Sequence, residues 1–158
     1  MATASSPIFF SNHQAENRSS NPAHINTITR ESRKLTNPSN TVWIVAAKRT
    51  PQGRLLGALA KQSAVDLAIA AGREVIAGVE PSKIDSVILG NVLGAGLGMN
   101  VARQVGLGLG LPVEVPAFTV NMMCASGMQA VMLAAQSIGH GSARMVLCGG
   151  TESMSNAP

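Results

Sequence analysis

One cysteine, Cys124, stands between a strand-like run and a long apolar helical segment in the stretch TVNMMCASGMQAVML, residues 119–133. The first turn of a helix has unpaired N–H groups and a partial positive charge, and both favour thiolate, the nucleophilic form, over thiol. A turn from strand to helix also directs a side chain toward the mouth of a cleft, as in the nucleophile elbow of hydrolases. Cysteine is equally common as a small buried hydrophobe, so position alone leaves both interpretations of Cys124 open.

The surroundings of Cys124 suit an acyl acceptor, because the next residues, Ala125, Ser126 and Gly127, are small. Cys148 differs, since it lies within the apolar run MVLCGG, which favours packing in the core. His140 follows Gly139 at the far end of the helical segment, which favours a role as a helix-end residue over that of a base for Cys124. Four methionines near the cysteine are predicted to fill gaps in a core that is poor in aromatic residues: Met122, Met123, Met128 and Met132.

Metal and nucleotide motifs are absent from the sequence. The two cysteines form no C-x-x-C pair, and we predict no metal site. The glycine runs GAGLGMN and GLGLG both fail the G-x-G-x-x-G pattern, and no G-x-x-x-x-G-K-[ST] occurs. The glycines are therefore interpreted as sites of turns and close backbone packing.

Charge and hydropathy exclude two classes of partner. Residues 1–40 carry four basic and two acidic side chains, and the other 118 residues carry eight basic and six acidic ones, so the net charge of +4 is divided evenly. No basic cluster with interleaved aromatic residues occurs, and we predict no nucleic-acid binding. No run of 18 apolar residues occurs either, which predicts no membrane-spanning helix.

The chain divides near residue 40. Residues 1–40 are rich in Ser, Asn and Thr and lack apolar periodicity, which predicts a disordered leader. Such a basic segment could alternatively be an organelle-targeting peptide. We therefore predict a cytoplasmic protein, or a mitochondrial one if the leader is a transit peptide.

Strand and helix patterns alternate from residue 41 onward. Strands are predicted within 41–50, 85–93, 115–123 and 143–154, the first of them buried, and helices within 63–78, 100–110 and 124–141. Ser63 with Asp66, and Asn100, provide capping patterns for the first two helices. This order predicts an α/β fold with a mostly parallel, mixed sheet, right-handed crossovers and helices packed on it.

The stretches NMMCASGMQAV and CGGTESMSNAP together resemble the thiolase family. IVAAKRTPQGRLLGALA and DSVILGNVLGAGLGMNVARQVGLGLGLP, in the same order along the chain, support the resemblance, which covers residues 42–158. Ketoacyl synthases share the fold and a cysteine at a helix start, but GGTESMS is more similar to thiolases.

The resemblance implies transfer of an acyl group between acyl-CoA molecules, by Claisen condensation or its reverse, thiolysis. Cys124 would carry the acyl group as a thioester, and a second acyl-CoA, deprotonated at its α carbon, would attack it. The implied substrates are coenzyme A thioesters, with no permanently bound cofactor. The implied assembly of the complete enzyme is a homo-oligomer, a dimer or a tetramer.

The sequence departs from the family pattern in two ways. It contains neither the G-H-P histidine motif nor the C-x-G-G cysteine motif of the C-terminal half. Residues 41–158 therefore resemble a thiolase N-terminal domain that is truncated before the loop domain, and we expect the isolated chain to be inactive. Met99 stands where many members have glutamine, at the family's dimer interface. The alternatives are a non-catalytic, thiolase-like interaction module and a ketoacyl synthase relative.

Overall fold

The computed structural model describes residues 8–11 and 41–158. The strands and helices over these residues are, in chain order, β1 (Ile8–Ser11), β2 (Trp43–Ala47), α1 (Ala64–Val75), β3 (Ser86–Gly90), α2 (Val101–Gly108), β4 (Ala117–Val120), α3 (Ser126–Gly139) and β5 (Met145–Gly150). Short 3₁₀ turns occur at Pro81–Lys83 and Met154–Asn156. No helix in this part of the chain is long and apolar enough to cross a membrane.

The strands form one mixed sheet in the order β2-β1-β5-β3-β4. Strand β3 is parallel to both β4 and β5, with Val87 opposite Ala117 on one side and Leu147 on the other. Strand β1 is antiparallel to β2 and to β5. The predicted α/β fold with a mostly parallel, mixed sheet is confirmed.

The helices lie on both faces of the sheet, as the alternation of side chains along the strands requires. Val87 and Leu89 of β3 pack in a cluster with residues of α1 and α2. Ile88, between them, packs in a second cluster with Ala130 and Ala134 of α3. The three central residues of β3 are almost completely buried, so β3 is the centre of the core.

Both predicted helix caps are present. The Ser63 hydroxyl accepts a hydrogen bond from the Asp66 backbone N–H at 3.1 Å, and the Asp66 carboxylate accepts one from the Ser63 N–H at 3.0 Å. The Asn100 side-chain oxygen accepts a hydrogen bond from the Arg103 N–H at 3.0 Å. Each capping side chain accepts a hydrogen bond from a backbone N–H group in the first turn that has no partner within the helix. The residues involved lie within one helical turn of each other, so local sequence was sufficient to predict both helix starts.

The predicted disordered leader, residues 1–40, lies outside the described residues except for Ile8–Ser11. Those four residues form β1, whose backbone pairs with β2 on one side and β5 on the other. Three residues of the tetrapeptide IFFS, one Ile and two Phe, are of types that favour strands. No strand was predicted there from the sequence.

The prediction that the first strand after residue 40 is buried was wrong. Strand β2 lies at the edge of the sheet, and Trp43, Ile44 and Val45 are 59%, 57% and 52% exposed. A continuous apolar run is typical of a strand covered on both faces. Burial depends on which elements cover the strand, however, and the local pattern does not specify them.

The packing predicted for the four methionines was also wrong. The face of α3 that contacts the sheet consists of Ser126, Ala130, Ala134 and Ile138, at the four-residue spacing of one helix face. Met128 and Met132 lie midway between these positions and are 65% and 50% exposed. Met122 and Met123, in the turn before the helix, are exposed as well.

Two glycines, Gly90 and Gly150, allow the start of α3 to approach the carboxyl ends of β3 and β5. A Cβ atom on Gly90 would lie 2.4 Å from the carbonyl carbon of Ser126 and 2.5 Å from the nitrogen of Gly127. A Cβ atom on Gly150 would lie 3.0 Å from the Cα of Gly127. The predicted role of glycine in turns is confirmed in the runs GAGLGMN and GLGLG, where Gly96, Gly98 and Gly110 have positive φ values.

We expect Gly90→Ala to lower the free energy of unfolding by about 3 kcal/mol or more, because the new methyl group overlaps the backbone of α3. Gly139→Ala is the matched control, since a Cβ atom there meets nothing within 4 Å. It should change the stability by less than about 1 kcal/mol. Urea unfolding followed by circular dichroism measures both variants, and equal stability of the two would contradict the packing argument.

Asp85 connects the starts of β3 and β5. Its carboxylate accepts hydrogen bonds from the backbone N–H groups of Arg144 at 2.7 Å and Met145 at 3.2 Å, and forms an ion pair with the Arg144 guanidinium at 3.4 Å. Burial by itself raises the pKa of Asp85, but the hydrogen bonds and charge of Arg144 and the Met145 N–H outweigh it. The pKa is therefore held below the ordinary value of 3.8.

A pKa lowered by folding means that Asp85 stabilises the protein above the pKa of the unfolded chain and loses this effect as the pH falls through the folded value. We expect Asp85→Ala to lower the melting temperature at pH 7, with a difference from the parent that shrinks below about pH 4. Melting curves from pH 3 to pH 7 test this. A difference that is constant across the range would contradict it.

Candidate active site around Cys124

Cys124 lies in the turn that joins β4 to α3. The N-cap of α3 is Ala125 and the helix begins at Ser126, so Cys124 precedes the helix by two residues. The predicted location of Cys124 between strand and helix is therefore confirmed, and the predicted helix start at residue 124 was two residues early. Its side chain is exposed, which favours the interpretation as a reactive residue over that as a core residue.

The residue before the cysteine has a left-handed backbone. Met123 has a φ of +51°, a conformation that costs a non-glycine residue free energy and persists where the surroundings impose it. The surroundings here are side-chain hydrogen bonds. The Asn121 side-chain oxygen accepts one from the Met123 N–H at 3.0 Å. The Ser126 hydroxyl accepts one from the Met122 N–H at 2.8 Å and donates one to the Met123 carbonyl at 2.6 Å.

A cavity of about 520 Å³ opens beside Cys124. It lies where the carboxyl ends of parallel strands meet, which is the usual location of ligand sites in open α/β sheets. Its lining comes from the ends of β3 and β5, the residues that follow them and the start of α3: Gly90, Asn91, Val92, Leu93, Met123, Cys124, Ser126, Gly127, Gly150, Thr151, Glu152 and Met154. The small residues Ser126 and Gly127 leave space beside the sulfur, as predicted.

The residues after β5 connect the cavity to the start of α1 and to the loop before it. The Thr151 hydroxyl donates a hydrogen bond to the Ala64 carbonyl at 2.7 Å, and the Ser153 hydroxyl donates one to the Gln62 carbonyl at 2.7 Å. The Asn156 amide donates to that same Gln62 carbonyl at 2.8 Å. The polar residues of GGTESMSN therefore hold two distant segments together. These contacts were not predicted from the sequence, where the stretch is recognisable only as a motif.

Glu152 is a cavity residue that the sequence analysis missed. Its carboxylate accepts hydrogen bonds from the Asn91 side-chain amide at 2.9 Å, the Val92 N–H at 2.9 Å and the Leu93 N–H at 3.2 Å. An acidic residue two positions after the end of a buried strand was the available signal. Its partners lie about sixty residues earlier in the chain, at separations of 61, 60 and 59.

The other candidate residues lie apart from Cys124. Cys148 is completely buried in β5, as predicted, and burial raises the pKa of its thiol to about 12. His140 caps the far end of α3, about 20 Å along the helix axis from its start. Its Nδ1 lies 2.8 Å from the Gln136 carbonyl oxygen and donates to it, because a carbonyl only accepts. The interpretation of both residues as structural is confirmed.

Two further features concern binding. Over the described residues, no three His, Cys, Asp or Glu side chains lie close enough to hold a metal ion. Met99, which departs from the family pattern, is fully exposed in the loop between β3 and α2.

Comparison with known proteins gives a family match over most of the described chain. The sequence model described as "Thiolase, N-terminal domain" matches residues 42–158. The chain is 50% identical over 119 residues to the cytosolic acetyl-CoA acetyltransferase ERG10 of Gibberella zeae, and 47% identical over 121 residues to the mitochondrial acetyl-CoA acetyltransferase of Mus musculus. These alignments cover 74% and 75% of this chain but 30% and 28% of the relatives.

Solved structures give the same result. Human mitochondrial 3-ketoacyl-CoA thiolase superimposes with a TM-score of 0.69 and 46% identity, covering 72% of this chain and 30% of that one. The Acat5 thiolase from Ascaris suum in complex with coenzyme A superimposes with a TM-score of 0.68 and 42% identity, covering 69% and 29%. The chain thus spans less than a third of the length of these proteins.

The two thiols provide an internal comparison of reactivity. We expect iodoacetamide to alkylate Cys124 at neutral pH at least about a hundredfold faster than Cys148, because the buried thiol reacts only after the core opens. In urea the two rates should become similar. Peptide mass spectrometry after timed quenching measures both, and fast labelling of Cys148 in the folded protein would contradict the placement of β5 in the core.

Proposed function

Because the chain belongs to the thiolase family, whose N-terminal domain matches residues 42–158, we propose that Cys124 is the nucleophile that accepts an acyl group from acyl-CoA. The family predicted from NMMCASGMQAV and CGGTESMSNAP is confirmed. The location of Cys124 supports this role. Its thiol is exposed on a turn that side-chain hydrogen bonds hold in place, and it lies beside a cavity at the carboxyl ends of parallel strands.

The proposed reaction has two steps. In the first, the Cys124 thiolate attacks the carbonyl carbon of acyl-CoA, an enzyme thioester forms, and the bond to the coenzyme A sulfur breaks so that coenzyme A leaves and takes up a proton. In the second, another acyl-CoA loses its α proton to a base. Its carbanion attacks the enzyme thioester, a carbon–carbon bond forms, and the Cys124 thiolate is released.

Charge develops on the thioester oxygen in both steps, and backbone N–H groups near the start of α3 are suited to stabilise it. The resemblance assigns the proton transfers to the G-H-P histidine and the C-x-G-G cysteine, and neither motif occurs in these 158 residues. No histidine lies among the described residues that line the cavity. Cys124 of this chain would therefore carry the acyl group, and full activation of its thiol and the condensation step require groups from the second half of the family fold.

The proposed substrates follow from the relatives. Their names specify acetyl-CoA acetyltransferase and 3-ketoacyl-CoA thiolase, and one solved structure contains coenzyme A. We therefore propose acyl-CoA thioesters as substrates and an acetyl-CoA C-acetyltransferase activity for the complete enzyme, which we propose to be a homo-oligomer. The relatives include cytosolic and mitochondrial proteins, and the cytoplasm remains our predicted location, with the mitochondrion as the alternative.

Incubation of the 158-residue protein with acetyl-CoA tests the role of Cys124. We expect intact-mass spectrometry to show one added acetyl group, peptide mapping to place it on Cys124, and hydroxylamine to remove it, because thioesters are cleaved by this nucleophile. Cys124→Ala should abolish the adduct. The matched variant Cys148→Ala should retain it, since Cys148 lies in the core.

An absent adduct, together with alkylation of Cys124 no faster than that of an unfolded-chain cysteine, would contradict the proposed role. That result would favour the non-catalytic interaction module instead. The exposed apolar residues of β2 and of the outer face of α3 would then be the first surfaces to examine.

A further inference from the structure

We propose that Glu152 and Asn121 are positioning residues that set the backbone of the Cys124 turn through a single peptide unit, the one between Val92 and Leu93. The proposal rests on the proposed role of Cys124 as acyl acceptor. The sequence alone gave no role to either side chain.

The first contact lies on the side of β5. Glu152 Oε1 accepts a hydrogen bond from the Leu93 N–H at 3.2 Å, which is one end of the peptide unit. The same carboxylate also accepts from the Val92 N–H at 2.9 Å and from the Asn91 amide at 2.9 Å. Hydrogen bonds to an ionised carboxylate are stronger than those between neutral groups, so the first residues after β3 are held firmly.

The second contact lies on the side of β4. The Asn121 side-chain N–H group donates a hydrogen bond to the Val92 carbonyl at 3.4 Å, which is the other end of the same peptide unit. The side-chain oxygen of Asn121 accepts from the Met123 N–H at 3.0 Å. The asparagine thus connects the peptide unit to the residue directly before the cysteine.

The four groups form a continuous chain of hydrogen bonds, from carboxylate to peptide to amide to backbone N–H. Each bond in such a chain polarises the next, so the charge of Glu152 strengthens the contact of Asn121 with the turn. The turn needs this support because Met123 is held at a φ of +51°. Without it, we expect the turn to relax and to move the sulfur relative to the cavity.

The contacts of Glu152 are those of a positioning residue. All three hydrogen bonds that its carboxylate accepts come from the residues directly after β3, two at Oε1 and one at Oε2. The loop after Leu93 contains Gly96 and Gly98 in left-handed conformations, which glycine adopts without strain. The hydrogen bonds of Glu152 hold the residues that lead into this loop, Asn91, Val92 and Leu93, which line the cavity.

The test compares Glu152→Gln, Asn121→Ala and the double variant with the parent. Glutamine keeps the size of Glu152 but loses the charge and one acceptor. Glu74→Gln, an exposed position on α1, is the matched control for the same chemical change. Retained protection of Cys148 from alkylation shows that each variant is folded.

We expect each single variant to slow acetylation of Cys124 by acetyl-CoA about tenfold, because small displacements of a nucleophile have large effects on rate. Alkylation by iodoacetamide, which needs only an accessible thiol, should change less than about twofold. The double variant should be no slower than the slower single variant, because both changes interrupt one chain of contacts. Additive losses, or no loss, would overturn the proposal.

Amide hydrogen exchange provides a readout that does not depend on acetylation. Glu152→Gln should speed exchange of the Met123 N–H about tenfold, although Glu152 does not contact Met123. Faster exchange confined to Val92 and Leu93 would overturn the proposal, because it would show a local role only.

If the parent is not acetylated but exchange at Met123 is faster in Glu152→Gln, the proposed function fails and the positioning network stands. If the parent is acetylated and Met123 does not respond, the network fails alone.

Discussion

The close approach of α3 to the ends of β3 and β5 is the constraint on which the site depends. Gly90 and Gly150 lack the side chains that would otherwise separate the helix from the sheet. With the backbones in contact, the first turn of α3 lies directly over the carboxyl ends of two parallel strands. The turn before the helix, and Cys124 with it, therefore stands at the mouth of the cavity formed by those ends.

Polar side chains stabilise this arrangement around an interior that is otherwise apolar. Asn91, Ser126, Thr151 and Ser153 are buried, and each makes hydrogen bonds. Within the described chain, no buried side-chain nitrogen or oxygen lacks a partner. A buried polar group without a hydrogen-bond partner lowers the stability of the fold. The buried hydrogen bonds therefore favour one relative placement of the segments around the cavity.

The two cysteines show how strongly environment determines the chemistry of one residue type. Cys148 is buried at the centre of the sheet, where desolvation disfavours the thiolate. Cys124 is exposed on a turn whose strain is offset by the side chains of Asn121 and Ser126. The difference arises from the elements that hold each cysteine, since both residues lie beside glycines or small residues in the sequence.

Local sequence was sufficient to predict the order of strands and helices, the caps at Ser63 and Asn100, the burial of Cys148 and the candidate nucleophile, because these features depend on periodicity and on neighbours within a few residues. Only the tertiary structure decided that β2 is an exposed edge strand, that the methionines of α3 face outward and that α3 begins two residues after Cys124. It also decided that Glu152, the Val92–Leu93 peptide and Asn121 meet. Burial and long-range hydrogen bonds depend on which surfaces face each other, and no local pattern encodes that.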